Sequence, residues 1–147
     1  MSDETNDKPG ESVMVEVRLA RVVVRDDADS QYIYLVESDG PRRFPIVIGS
    51  NEAREIYRVA KAEPTERPLT HQLAFDCIAA LKAELVSVDI VDLRHNTYYA
   101  NVVLRRGDET LAIDARPSDA IALATRARCR FRVAEDVMTR AAAVEDE

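Results

Sequence analysis

Cysteine, histidine and lysine are scarce in this chain: two, two and three among 147 residues. Cys77 and Cys129 form neither a disulfide framework nor a metal-ligand spacing, so both are expected to be reduced thiols, as in the cytoplasm. No apolar run approaches the roughly 20 residues that span a bilayer, so no membrane association is expected. Residues 1–11 are polar and acidic, unlike a secretory signal or a transit peptide. There is no P-loop, no GxSxG, no HxxxH and no dinucleotide fingerprint, which removes most enzyme classes that announce themselves by motif. Nor is there a Lys/Arg-rich block of the kind that marks tight, sequence-independent binding of nucleic acid.

What charge there is lies unevenly. The net charge is −7, but segments 1–11 and 135–147 hold nine of the 27 acids and only two of the 20 bases. Residues 12–134 are left with 18 of each sign. The body is neutral and the acidity sits at its ends. Arginine outnumbers lysine 17 to 3, read as compositional bias, although the guanidinium fork also suits phosphate.

By length the chain is one domain, large enough to bury a core without staples. Residues 1–11 lack apolar content and are expected to be disordered, 12–141 to form the domain, and 142–147 to be an acidic tail. Val13, Val15, Val17, Leu19 and Val23 alternate along one long strand. Residues 26–30 make a turn, 32–36 a second strand and 44–48 a third. A helix follows from about residue 50 to 61, with Ala53, Ile56, Tyr57 and Ala60 as its buried stripe. After a proline-containing loop, Thr70 is the expected N-cap of a second helix, on which Leu73, Cys77, Leu81 and Ile78 should face the sheet. Val86, Val88 and Ile90 start a fourth strand, and a hairpin at 94–96 leads into a fifth through Tyr98, Ala100, Val102 and Leu104. A sixth ends at Asp114, and after a third helix come a short strand at 131–133 and a last helix from Glu135 to about Ala143. Strands and helices mix without regular βαβ alternation. The predicted class is α+β, a mixed, largely antiparallel sheet with three to four packed helices. Residues 13–24 carry eight Val, Leu or Met side chains, so that strand must be central or covered by a partner. A homo-oligomer, most simply a two-fold dimer, is expected.

The stretch from Ile113 to Ala124 is the densest in information. Asp114, Arg116 and Asp119 surround Pro117 at a strand-to-helix junction. Pro117 presets the first helical turn, and a helix N-terminus with an arginine beside it suits a phosphate. Asp114 and Asp119 offer oxygen ligands to a divalent cation. An acid in the first turn also complements the helix dipole, and Arg116 could simply pair with Asp114 or Asp119. His71 suits a general acid or base, or a hydrogen bond to the loop before it. His95 falls at a hairpin tip, where solvation is expected. Asp92 is a site candidate or a local turn acceptor. Tyr98 and Tyr99 point to opposite faces, one to the core and the other available for packing or for stacking on a base.

The run Asp114-Ala115-Arg116-Pro117-Ser118-Asp119-Ala120-Ile121-Ala122-Leu123-Ala124 resembles the signature of the bifunctional nuclease domain family. Arg67-Pro68-Leu69-Thr70-His71, Asp92-Leu93 with Thr97-Tyr98-Tyr99-Ala100, and Pro45-Ile46-Val47-Ile48-Gly49 with Glu52-Ala53 agree with it in order. The resemblance covers about residues 13–141. It departs at Arg94-His95-Asn96, where a glycine-containing pair is expected. It implies hydrolysis of phosphodiester bonds in RNA and DNA. Residue chemistry then suggests Asp114 and Asp119 for Mg²⁺ or Mn²⁺, Arg116 and Arg67 for phosphate, and His71 or Asp92 for protons. The competing expectation is a non-catalytic oligomeric module binding a protein partner or an anionic ligand, with the same charges in an ion-pair network.

Overall fold

A computed structural model of the chain describes residues 13–23, 25 and 30–145, without the side chains of 30 and 143–145. The expected disordered segment 1–11, most of the 26–30 turn and the end of the expected tail lie outside the described residues. Among the described residues seven strands make one sheet: β1 (Met14–Val23), β2 (Ser30–Glu37), β3 (Arg43–Gly49), β4 (Glu84–Arg94), β5 (Thr97–Arg106), β6 (Glu109–Ala115) and β7 (Arg130–Ala134). The helices are α1 (Ser50–Ala60), α2 (Thr70–Ala80), α3 (Pro117–Ala127) and α4 (Glu135–Glu145). The strand order is β3-β2-β1-β7-β4-β5-β6, antiparallel at each described pairing except β4 with β7. The fold is α+β, as the mixture of strand and helix runs predicts.

Two three-stranded meanders, β1–β2–β3 and β4–β5–β6, are joined by β7 between β1 and β4. The long apolar β1 is interior, so its surplus apolar side chains are explained without a partner. Interior β4 is buried on both faces, with Ser87, Val88, Asp89 and Ile90 all below 9% exposure, and it contacts both α3 and α4. Helix α4 also touches β3, and Phe44 of β3 stacks on Tyr98 of β5 with ring centroids 5.6 Å apart. The two ends of the sheet therefore curl toward each other. Arg42 fastens this arrangement by bonding Glu37 (2.8 Å) and Glu135 (2.8 Å) at once. Between β4 and β5, His95 (φ 51°) and Asn96 (φ 64°) form the two-residue turn with positive φ at both positions, the geometry for which a glycine pair is the usual choice.

Three helix expectations need correction. On α1, Ala53 and Ile56 are buried, but Tyr57 is 44% exposed and Ala60 is exposed, while Glu55 is buried. The helix is rolled so that Glu55 faces α3, where arginines receive it. On α2, Ile78 packs toward the core as expected, joined by Ala74 and Phe75, but Leu73, Cys77 and Leu81 face solvent. This helix contacts α3 and β4 along the stripe 71, 74, 75 and 78, whose i, i+3, i+4, i+7 spacing is as regular as the exposed one. Thr70 is not its cap: extended Leu69 holds that position, and no side chain caps the helix.

Candidate functional site

Strand β6 ends at Ala115, and Arg116 follows in extended geometry (φ −68°, ψ 145°) as the N-cap of α3. Pro117 then starts the helix and Asp119 completes its first turn. The buried face of α3 is Ser118 and Ala120 to Ala124, small enough for α1 and α2 to pack beside it. That close packing brings three helices to one point.

At that point the side chains form a line. His71 Nε2 lies 2.9 Å from Asp119 Oδ1. Arg116 Nε donates to Asp119 Oδ2 at 2.9 Å, and Arg116 Nη2 donates to Glu52 Oε2 at 2.9 Å. Glu52, Arg116, Asp119 and His71 line a cleft of about 490 Å³ together with Arg54, Glu55 and Arg58. Burial alone would raise the Asp119 carboxyl, but hydrogen bonds from Arg116 and His71 outweigh it and hold the group below the usual aspartate value. Hydrogen bonding to Asp119, then to Glu52, raises the Arg116 guanidinium above its ordinary value.

Behind this line sits a second cluster. Glu55, 2% exposed, accepts from Arg58 Nη2 at 3.1 Å and from Arg126, which also bonds Gln72. Arg126 thereby ties α3 to α1 through Glu55 and to α2 through Gln72, the neighbour of His71 in sequence. Burial raises the Glu55 carboxyl, and the Arg126 and Arg58 hydrogen bonds more than reverse it. The Nε atoms of Arg58 and Arg126 are buried without a partner among the described residues.

The sequence-derived candidates divide accordingly. His71, Arg116 and Asp119 come together, and His71 meets Asp119 rather than the loop before it. Asp114, on exposed β6, lines a different groove with Arg116. Asp92 accepts from its neighbour Leu93 N at 2.8 Å and pairs with Arg94 at 3.0 Å, outside the cleft lining. Arg67 is exposed in the loop before α2 and is also outside that lining. His95 is exposed at its hairpin tip, Tyr98 joins Phe44, and Tyr99 lies under the Arg94 guanidinium at 4.1 Å. Glu52, Glu55, Arg58, Gln72 and Arg126 carry no role in the sequence reading. The i, i+3 spacing of Glu55 and Arg58 was visible, but not that the pair would be buried.

Cation binding by Asp114 and Asp119 does not fit this geometry. Both Asp119 oxygens are taken by cationic or N–H donors, and Asp114 opens into the other groove. Among the described residues no group of three or more His, Cys, Asp or Glu is arranged to hold a metal ion. Among them, too, no helix is long and apolar enough to cross a membrane.

Two curated relatives, uncharacterized proteins from two strains of Mycobacterium tuberculosis, are each 38% identical to this chain over 128 residues. Those matches cover 87% of this chain and 76% of each relative. The model of the bifunctional nuclease domain matches residues 33–146, which hold α1, α2, α3 and every side chain of the cleft. With the signature run placed at the first turn of α3 and its arginine and aspartate joined to His71, the chain belongs to the bifunctional nuclease domain family.

Proposed function

We propose that this domain hydrolyses phosphodiester bonds in RNA and DNA at the cleft between α1, α2 and α3. The observation that supports the reading is the His71–Asp119 contact with Arg116 on the other carboxylate oxygen. Phosphodiester hydrolysis needs an in-line water, a proton acceptor and relief of charge on the non-bridging oxygens. Asp119 holds one ring nitrogen of His71, leaving the other to take a proton from water, the same division of labour as in a carboxylate-oriented histidine base. Arg116 keeps donors beyond those it gives to Asp119 and Glu52, and these meet the phosphate. The cleft lining balances Glu52, Glu55 and Asp119 against Arg54, Arg58 and Arg116, so an entering phosphate meets no net negative wall. Mg²⁺ or Mn²⁺ enters this reading as an assay variable, with no step assigned to it. The domain acts on single strands as a cytoplasmic protein. The test is cleavage of end-labelled single-stranded RNA and DNA by nuclease-free protein, with and without those cations. Products from either polymer are expected; intact substrate under all conditions overturns the reading.

One observation favours the competing reading. Every carboxylate of the Glu52–Arg116–Asp119 line is already paired within the chain, as in a structural ion-pair network. Under that reading the domain is a non-catalytic module for a protein partner or an anionic ligand. In either case the protein is a homo-oligomer, most simply a two-fold dimer, because large apolar side chains stay exposed at Leu69, Leu73 and Leu81. Light scattering at micromolar concentration should return about twice 16.5 kDa, and a mass of one chain rejects the dimer.

A further inference from the structure

Beyond the cleft, the two ends of the curled sheet enclose a groove of about 640 Å³ between β3, the start of β5 and the first turn of α3. We propose that this groove carries the single strand on past the cleft, with one phosphate at the first turn of α3 and the attached base against β3. The proposal rests on the nuclease reading and places a part of its substrate.

Four observations carry it. Ser118 is 8% exposed and lines the groove, and its hydroxyl has no hydrogen-bond partner among the described residues. Its oxygen is not among the partnerless atoms sealed from solvent, so it opens to the groove, where a phosphate oxygen can accept from it. Helix α3, eleven residues long, starts here with no side chain capping its first turn, so free N–H groups and the positive end of its dipole face the same place. Arg116 lines both the groove and the cleft, so a chain lying across it keeps successive phosphates near one guanidinium. The opposite wall is apolar, with Val47 58% exposed and Pro45 beside it, as the flat face of a base requires.

Polarity within the groove sets the orientation. Asp114 lines it too, and its carboxylate accepts no hydrogen bond from the described residues, so it repels phosphate and suits an exocyclic amino group. Phosphate therefore lies on the Ser118 side and the base edge on the Asp114 side. The volume is that of a small-ligand site, with room for a nucleotide rather than a duplex. The rival occupant is a peptide strand added to the open edge of β3.

The experiment measures fluorescence anisotropy of a labelled phosphorothioate oligodeoxycytidylate, which resists cleavage, on the full chain. Val47→Glu places an acid against the strand and should weaken binding about tenfold or more. Ser118→Ala should weaken it about threefold. Val13→Glu adds the same charge at an exposed valine outside the groove lining and should leave binding unchanged. Wild-type affinity in both groove variants, in a protein that still cleaves RNA or DNA, overturns the groove alone and leaves it to a peptide strand. Equal losses in Val47→Glu and Val13→Glu make the effect one of net charge and also overturn it. Absence of both binding and cleavage in the wild type defeats this proposal and the nuclease reading together.

Discussion

Asp119→Asn is expected to lower single-strand cleavage at least about tenfold while the domain stays folded. The amide keeps the shape of the carboxylate but offers one acceptor where there were two. Arg116 has only donors, so the amide oxygen must turn toward it and the NH₂ group toward His71 Nε2. That nitrogen must then accept, which puts the ring proton on Nδ1, the atom the reaction needs bare. Wrong-tautomer inactivation of this kind costs rate without costing shape. The loss of one charge from a side chain that is 36% exposed is a small stability effect. Initial rates on one labelled oligonucleotide, with melting curves alongside, provide the measurement. An unchanged rate in the well-folded variant removes Asp119 from the mechanism.

Glu55→Ala has the larger consequence for stability, a loss of about 3 kcal/mol, because removing one partner of a buried ion pair strands the others. Here two arginines, 21% and 27% exposed, lose the carboxylate they share. In the folded chain the Glu55 carboxyl sits below its ordinary value of 4.5. Its contribution is therefore complete above about pH 4.5 and drains away as pH falls through the folded value. Urea denaturation at pH 7 should show the full gap between wild type and variant, and the gap should narrow in acid. A gap that holds constant into strong acid would assign the loss to packing rather than to charge.

Much of the sheet could be read from alternation, because a strand with one buried face writes its period into the residues. Val15, Val17 and Leu19, or Phe44, Ile46 and Ile48, leave little choice of face. The hairpin at His95-Asn96 was legible as a turn even without glycine. Helix α2 was harder for a physical reason: Ala74, Phe75 and Ile78 form one apolar stripe and Leu73 and Cys77, continued by Leu69 and Leu81 at its ends, form another, and periodicity does not say which one meets protein. Thr70 has the side chain of a cap, but extended Leu69 occupies that place. For the site, the signature run led to Arg116 and Asp119, and the proline-led helix start to His71. Glu55 and Arg126 escaped notice because their pairing spans 71 residues and a lone glutamate on a helix reads as a solvated one. Asp92 looked equivalent to Asp119 in composition, yet its oxygens are spent on its own neighbours.

The position of β7 bears on how the chain reaches this state. Each meander can form its hairpins locally, but neither touches the other in the sheet until residues 130–134 slide between β1 and β4. Their docking closes loops of more than a hundred residues on the β1 side, an entropic barrier that slows folding even when the product is stable. Until then both meanders present an open edge, and β1, rich in valine, is the one most prone to pair with a foreign strand. Folding speed and solubility during synthesis are therefore governed by a five-residue segment that contributes no side chain to the cleft.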